Sequence, residues 1–567
     1  MTYNIISQLA DSGDSVYVYQ DVSNQKNVPL NSLYSPEKEA EKFLRKVEIH
    51  NKVIILIGSG NGAVIRKLLD STEKFIHLLV IEPFKGIFLD TELFSDKENV
   101  TFFQYESMSH LTFLEFIQDF NSVETELLIH PNYDRTESNL LHKIIMELTQ
   151  TIRLARVNQN TQENLRKEWI IEPLLNLEYN AELTPLQELK DLFIGEKAIL
   201  VASGPSMKEL IPFVKNAQKS AYVLAAGSAI NGLLHHDIVP DFAASFDSSQ
   251  INFEAHFKDT KYSGPLFVGS IVNNDILKYH KGPTIVARLS GDHITKRALP
   301  ELMHFKSVPS VAVFGLQILQ YLGFSEIYLV GQDLALVNGK YYSEGVKEHK
   351  GSINQKAELL VESNSGDQVP TTYGLYPFLH SFVELIKIID KSKTKIFNLS
   401  KHGAKIDGAP YIEEDKVVFL EERKEIHFSV NPKVSSINGL TITDNILEEI
   451  KSFKKDLEKS KKDLDRLNPN VVSVTDMKRV IRLFSRTRNH TIFEDVVTPQ
   501  FSFVIQRISN IFQYKLEKPS YTSEDRLEMV TEIKKLFQII DIFLESIMQD
   551  MRIIEVQNRI HDNIKQS

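Results

Sequence analysis

The sequence predicts a multidomain α/β protein with a Rossmann-like N-terminal domain (residues 1–185), a second α/β domain (186–425) and an all-helical C-terminal domain (426–567). Three observations predict it. VIILIGSGNGAVIRKLLD, from Val53 to Asp70, reads as strand, glycine turn and helix. Between Lys197 and Gln250 three apolar runs in a row each end in a small, polar turn. Beyond about residue 430 glycine nearly vanishes, and charge alternates along amphipathic helical stretches.

In the first domain, Val16 to Tyr19 reads as a strand and Pro36 to Val47 as an acidic helix. The glycine turn Gly58-Ser59-Gly60-Asn61-Gly62 follows, and FIHLLVIEPF then gives a strand ending at Glu82. An acidic residue about twenty positions after such a turn matches a Rossmann opening. Two readings stand: a nucleotide or S-adenosylmethionine site in which Glu82 grips ribose hydroxyls, or a Rossmann scaffold without a cofactor. A helix from Leu140 to Asn158 is expected to extend through Gln162 to Leu177, which holds the single tryptophan, Trp169.

In the second domain, Ala198–Ala202 ends in Ser203-Gly204-Pro205-Ser206, Tyr222–Ala226 in Gly227-Ser228, and Phe242–Phe246 in Asp247-Ser248-Ser249. Turns at the carboxyl edge of a parallel sheet are where open α/β folds bind ligands. Gly204 lets a ligand approach the backbone, and Ser206 is expected to cap the helix opening at Met207, leaving N–H groups for an anion. Gln250, Asn273 and Asn274 lie beyond strand ends, where they read a base or sugar hydroxyls or cap turns. Val311–Leu322 is a helix and Glu326–Val330 a buried strand ending in Gly331-Gln332-Asp333. Thr371 or Thr372 stands near the start of the next helix, and Lys395–Leu399 is a strand leading into the glycine-rich SKHGAKIDGAPYI.

Size and composition bound the function. The 567 residues allow about three domains. Hydrophobic residues make up 42% and charged residues 25%, as in soluble globular proteins. A net charge of -10 argues against a general nucleic-acid binder. With no cysteine there is no disulfide, thiolate zinc site or cysteine nucleophile. The N-terminus has no signal-peptide pattern and no apolar run approaches a membrane span, so no membrane insertion and a cytoplasmic location are expected.

Several motifs meet in order: NTQENLRKEWIIEPLLNL, IGEKAILVASGPSM, IVPDFAASFDSS, FSEIYLVGQDLA, VPTTYGLYPFLHSFVE and FNLSKHGAKIDGAPYI. On these the chain resembles the motility accessory factor (Maf) family of bacterial flagellin glycosyltransferases, whose central domain is sialyltransferase-like. The resemblance implies transfer of a nonulosonic acid, of the legionaminic or pseudaminic type, from a CMP-sugar to Ser or Thr of flagellin, in support of flagellum assembly and motility. It implies a CMP-activated donor as substrate, no required cofactor and no required metal.

By resemblance, Ala198 to Ser206 matches the strand and turn that hold CMP. Ser310 falls in the nucleotide loop, where Val311 and Ala312 replace the family's Ser and Gly. GFSEIYLVGQD matches the strand that precedes the catalytic tyrosines. One of those is Ala335 here, and the other is Tyr342 or Tyr341. His349 is nearest in order to the catalytic histidine, at a different spacing, with His402 as the second choice of base. His235 and His236 read as a solvent-facing helix end and His380 as packing. The catalytic set implied is therefore His349, Tyr342, Tyr341 and Asp333. The donor-binding set is Ser203, Gly204, Pro205, Ser206, Gly227, Ser228, Asp247, Ser248, Ser249, Gln250, Asn273, Ser310, Gly331, Gln332 and Thr371.

Asp247 and Asp333 also suit backbone capping, ribose contact or a divalent metal. The metal reading belongs to a rival function, a pterin-type pyrophosphokinase using ATP and magnesium. Two further rivals are a methyltransferase on the Gly58–Gly62 turn and a non-catalytic flagellin-binding chaperone. The helical domain, with an amphipathic surface near 445–467, is the expected flagellin dock.

Overall fold

A computed structural model describes residues 3–22, 26–71, 75–87, 97, 99–108, 113, 114, 116, 117, 120, 124–180, 183–343, 346, 357–426, 438–468, 470–516 and 521–566. The chain divides into two compact units. The first comprises Met1–Gln159, Lys459–Thr487 and Phe501–Ile539, and the second Asn160–Glu458, Arg488–Gln500 and Ile540–Ser567.

In the first unit, β1 (Tyr3–Leu9), β2 (Ser15–Asp21) and β3 (Asn27–Pro29) form an antiparallel sheet. A parallel sheet follows, from β4 (Val53–Ile57), β5 (His77–Glu82), β6 (Val100–Gln104) and β7 (Thr125–Ile129), in the order β6-β5-β4-β7. This is the Rossmann half-order, with the reversal between β4 and β7. Every residue of β4 is buried, as its unbroken apolar run requires. The helices Pro36–Leu44 and Ala63–Leu69 and most of Ser138–Leu165, Val474–Arg488, Thr498–Leu516 and Ser523–Met548 also belong to this unit. There Lys515 is buried against Asp525 (3.0 Å) and Glu528 (2.7 Å).

The second unit is built on a nine-stranded parallel sheet. Its strands are β8 (Thr184–Pro185), β9 (Lys197–Val201), β10 (Tyr222–Ala226), β11 (Phe242–Ser245), β12 (Leu266–Gly269), β13 (Thr284–Leu289), β14 (His304–Phe305), β15 (Glu326–Val330) and β18 (Lys395–Asn398). The order is β14-β13-β12-β11-β10-β9-β15-β18, with β8 beside β13. An antiparallel hairpin, β16 (Leu359–Glu362) and β17 (Gln368–Thr371), precedes β18.

Alternate strand residues enter two cores. Leu200, Leu224 and Leu329 pack with the helix Val311–Tyr321 on one face. Ile199, Val223 and Val330 pack with the helix Met207–Ala217 on the other. From β9 the chain lays down β10 to β14 in one direction, then returns to place β15 and β18 on the opposite side of β9. The reversal between β9 and β15 opens a crevice at their carboxyl ends.

One local expectation is corrected. The helix predicted to run unbroken from Leu140 to Leu177 is two helices, Ser138–Leu165 and Glu168–Asn180, interrupted at Arg166 and Lys167. Of the two threonines near the start of the helix Tyr376–Ile388, Thr372 forms the turn that leads into it, its Oγ1 accepting from the Leu375 N–H (3.1 Å). Thr371 lies at the end of β17 instead.

Candidate functional site

The turn after β9 and the turn after β15 meet at the reversal. Asp333 Oδ2 accepts from the Ser206 backbone N–H and from Ser206 Oγ, both at 2.9 Å. Ser206 Oγ also lies 2.8 Å from Ser400 Oγ, just beyond β18. The expected capping by Ser206 is thus replaced. Its backbone is already helical (φ -66°, ψ -16°), and its hydroxyl joins three strand ends instead of the first turn of the helix. Gly204 donates to the Gly331 carbonyl at 3.0 Å, and a Cβ on Gly204 would strike that carbonyl and Asp333 Oδ2. No other residue fits there.

Asp333 is buried, and burial raises its carboxyl to about 6. Among the described residues its second oxygen, Oδ1, has no partner, nor have Gln332 Nε2 and Ser343 Oγ, all three buried. Buried polar groups are nearly always hydrogen-bonded, so three orphans at one crevice need a cause. A polar ligand or ordered water supplies one.

The neighbouring strand ends are tied into the same edge. Ser203 Oγ and Ser228 Oγ lie 2.6 Å apart. Gly227 (φ 48°) approaches Val311, whose helix is capped by Ser310 Oγ accepting from the Ala312 N–H (3.3 Å). Beyond β11, Asp247 Oδ1 accepts from the Ser249 N–H (2.8 Å), and Ser249 Oγ caps the short turn Gln250–Asn252. Ser248 Oγ and Ser245 Oγ are buried without partners. Asn273 donates to Gln250 Oε1 (3.2 Å) and to the Ser248 carbonyl (3.3 Å).

Segment Tyr341–Ser343 is pinned to the first turn, because the Ser343 N–H donates to the Ser203 carbonyl (2.8 Å). This sets Tyr341 and Tyr342, with ring centroids 4.7 Å apart, beside the turn. Burial pushes the Tyr341 hydroxyl up, so it stays a proton donor. Thr371 is buried and donates to the Leu334 carbonyl (2.8 Å), which removes it from the ligand-facing set. His349 lies outside the described residues. His380 meets the Tyr376 ring edge-on, with centroids 4.5 Å apart, and His402 is exposed.

Sequence reasoning missed Ser343 and Ser400. Ser400 could have been found, since it too is a small polar residue just past an apolar strand. It also missed how the loop after β12 is held. Glu172 and Asn176, four apart on the helix Glu168–Asn180, share a face. Glu172 Oε2 accepts from the Asn274 N–H (2.5 Å), and Asn176 donates to the Ser270 and Val272 carbonyls (3.0 and 2.8 Å). Burial pushes the Glu172 carboxyl up, against the Asn274 amide and the Arg552 guanidinium 2.6 Å away, which favour its charge. Asn273, one residue before, inherits this rigidity.

The turn after β4 contrasts with this site. Glu82 is buried, and Oε2 accepts from the Ser59 N–H (2.7 Å), Ser59 Oγ (2.6 Å) and Tyr133 OH (2.8 Å). Its Oε1 accepts from the Phe84 N–H (2.8 Å). Tyr133 fills the space over Gly58, and Asn31 and His130 fill that over Gly60. Glu82 is thus held by its own neighbours.

A family model described as 6-hydroxymethylpterin diphosphokinase MptE-like matches residues 172–339. The 6-hydroxymethyl-7,8-dihydropterin pyrophosphokinase of Methanocaldococcus jannaschii is 24% identical over 199 residues, 31% of this chain and 74% of that protein. An uncharacterized protein of Treponema pallidum is 27% identical over 121 residues. That stretch is 21% of this chain, and it spans only 57% of the Treponema protein. Among solved structures, the Maf glycosyltransferase of Magnetospirillum magneticum is similar with a TM-score of 0.58 and 13% identity, over 99% of this chain and 95% of that one. The chain therefore has the fold of that glycosyltransferase along nearly its whole length. No helix among the described residues is long and apolar enough to cross a membrane.

Proposed function

We propose that the protein transfers a nonulosonic acid from its CMP-activated form to a Ser or Thr hydroxyl of flagellin. The observation that carries this reading is the reversal crevice, where buried Gln332, Asp333 and Ser343 atoms lack partners beside the Ser203–Ser206 turn. The fold shared with a Maf glycosyltransferase over the whole chain supports it.

In the proposed step the acceptor oxygen bonds to the anomeric carbon. The bond from that carbon to the CMP phosphate oxygen breaks, and CMP leaves with the electron pair. The acceptor proton passes to a base, for which His349 remains the candidate. The Ser203 N–H and the hydroxyls of Tyr341 and Tyr342 would stabilise the departing phosphate, since the Gly204 and Ser206 N–H groups are bonded to Gly331 and Asp333 and Pro205 has none. Preorganised donors of this kind are each worth about 2.7–4 kcal/mol. Asp333 acts as a positioning residue, shaping the turn through Ser206. The sugar oxocarbenium is left to the chemistry of glycosyl transfer in general.

A second reading, a pterin-type pyrophosphokinase, is favoured by the family model over residues 172–339 and by the archaeal relative. Calorimetric titration of CMP, magnesium-ATP and S-adenosylmethionine separates the readings. CMP binding that Ser206→Trp abolishes is expected. Magnesium-dependent ATP binding with no response to CMP would favour the pyrophosphokinase. Binding of flagellin with silence from all three small molecules would favour a chaperone.

A further inference from the structure

The glycine-rich loop after β18 meets the crevice only at its start, where Ser400 Oγ reaches Ser206 Oγ and the Ala404 N–H donates to the Asp333 carbonyl (2.7 Å). Its residues Lys405–Tyr411 instead wall a cleft of about 700 Å³. The other walls are Glu362–Asn364 of the hairpin, the C-terminal end of the helix Tyr376–Ile388, and β18 itself. The cleft runs along the outer edge of the nine-stranded sheet, because β18 is its last strand.

Three properties of this cleft point to one occupant. First, part of the strand edge is open. The Lys395 and Leu399 N–H groups donate to the Ser325 and Leu329 carbonyls on the β15 side (2.8 and 3.0 Å), and the Asn398 N–H is taken by the Pro410 carbonyl (3.0 Å). The alternation of a parallel ladder turns the N–H of Ile396 the other way, toward the cleft it lines. Second, the floor is aliphatic (Ile386, Ile389, Ile396 and Ile406) while the rim carries three lysines, Lys391, Lys395 and Lys405, against two carboxylates, Glu362 and Asp407. Lys405 pairs with Glu362 at 3.0 Å, whereas Lys391 and Lys395 have no ion pair among the described residues. Third, a wall residue of the cleft is bonded to the loop that meets the crevice. The Asn364 N–H donates to the Gly403 carbonyl (3.0 Å) and Asn364 Nδ2 to the Ser400 carbonyl (2.9 Å), and Ser400 Oγ meets Ser206 Oγ.

We infer that this cleft takes the acceptor: an extended polypeptide segment, carrying aliphatic residues and carboxylates near the hydroxyl to be modified, laid along the edge of β18. Strand addition supplies main-chain hydrogen bonds, and the aliphatic floor and lysine rim select side chains. Calling the segment an acceptor rests on the transferase reading; its binding does not.

The test uses the full chain and purified flagellin as the probe. Fluorescence anisotropy of labelled flagellin, with no donor present, compares wild type with Lys391→Glu/Lys395→Glu. Both lysines are exposed, so the double variant is expected to fold. The inference expects flagellin affinity to fall at least tenfold while CMP affinity stays unchanged. It also expects benzoylphenylalanine at position 405 to crosslink to flagellin. Unchanged affinity in the double variant, or no flagellin binding by wild type, overturns it. Flagellin binding that depends on the lysines, in a protein that binds no CMP, would support the cleft while sinking the transferase reading.

Discussion

The turns Gly58–Gly62 and Ser203–Ser206 both follow buried strands of parallel sheets. Each lies where strand order reverses, between β4 and β7 in one sheet and between β9 and β15 in the other. By sequence the first is the more persuasive ligand site, having three glycines and a well-spaced acid. By structure it is closed. Tyr133 packs over Gly58, and Glu82 accepts four hydrogen bonds from its own surroundings. The second turn carries less sequence signal but stands beside orphaned buried atoms of Gln332, Asp333 and Ser343. Glycines record only that a backbone must come close to something. Whether that something is a ligand or the protein's own side chain depends on what sits opposite.

The largest expected effect comes from adding one methyl group to each turn. Gly204→Ala should abolish CMP binding, since its Cβ would displace Asp333 and the Gly331 carbonyl. Gly58→Ala forces a side chain onto φ 91° and into the Tyr133 ring, so it should lower stability, by about 1–3 kcal/mol from overpacking alone, yet leave CMP affinity intact. Denaturant unfolding alongside CMP titration distinguishes them, and equal loss of CMP binding in both would end the comparison. Next in size, Ser206→Ala should weaken CMP binding about tenfold by removing the hydroxyl's bonds to Asp333 and Ser400 while the backbone N–H bond to Asp333 remains, in keeping with about 1–1.5 kcal/mol for a buried hydrogen bond. Glu82→Gln should cost about 1–3 kcal/mol of stability, because its amide meets donors where the carboxylate accepted, and should leave CMP titration unmoved.

The smallest effect is a pH dependence. Asp333 is raised from 3.8 to about 6 in the folded state. Between those values the folded chain holds more protons than the unfolded one, so this group's contribution makes stability fall as pH rises. Buried His77 and His130, lowered from 6.5 to about 4, act with the opposite sign over an overlapping range. The readout is therefore the difference between wild type and Asp333→Asn. That difference in Tm should change steadily from pH 4 to 6 and level off above it; a flat difference would remove Asp333 from the account.

Much of the fold was legible because it follows from local pattern. The apolar runs at Val53, Ala198, Tyr222 and Glu326 became buried parallel strands, as continuous hydrophobicity requires. The interruption at Arg166–Lys167 was not legible, since neither residue breaks helices by propensity. The strand-end residues were found by one signal, small and polar after apolar, but their division of labour was not. Ser206 looked like a cap until Asp333 and Ser400 were brought to it from 127 and 194 positions away. Thr371 looked equivalent to Thr372 until the hairpin separated them. Glu172 and Asn176 looked like ordinary polar positions on a helix because their partners lie about a hundred residues on.

The bond between Arg552 and Glu172 bears on how the helical region can be studied. Removing the chain after about residue 430 is the natural way to ask whether those helices recruit flagellin. Such a deletion would also strip Arg552 from a carboxyl that is fully enclosed; without the guanidinium that favours its charge, Glu172 would take up a proton and hold the loop that presents Asn273 less firmly. The shortened protein should therefore melt earlier and bind CMP less well, for reasons unrelated to recruitment. Point substitutions on exposed helix surfaces, with Arg552 retained, are the cleaner instrument.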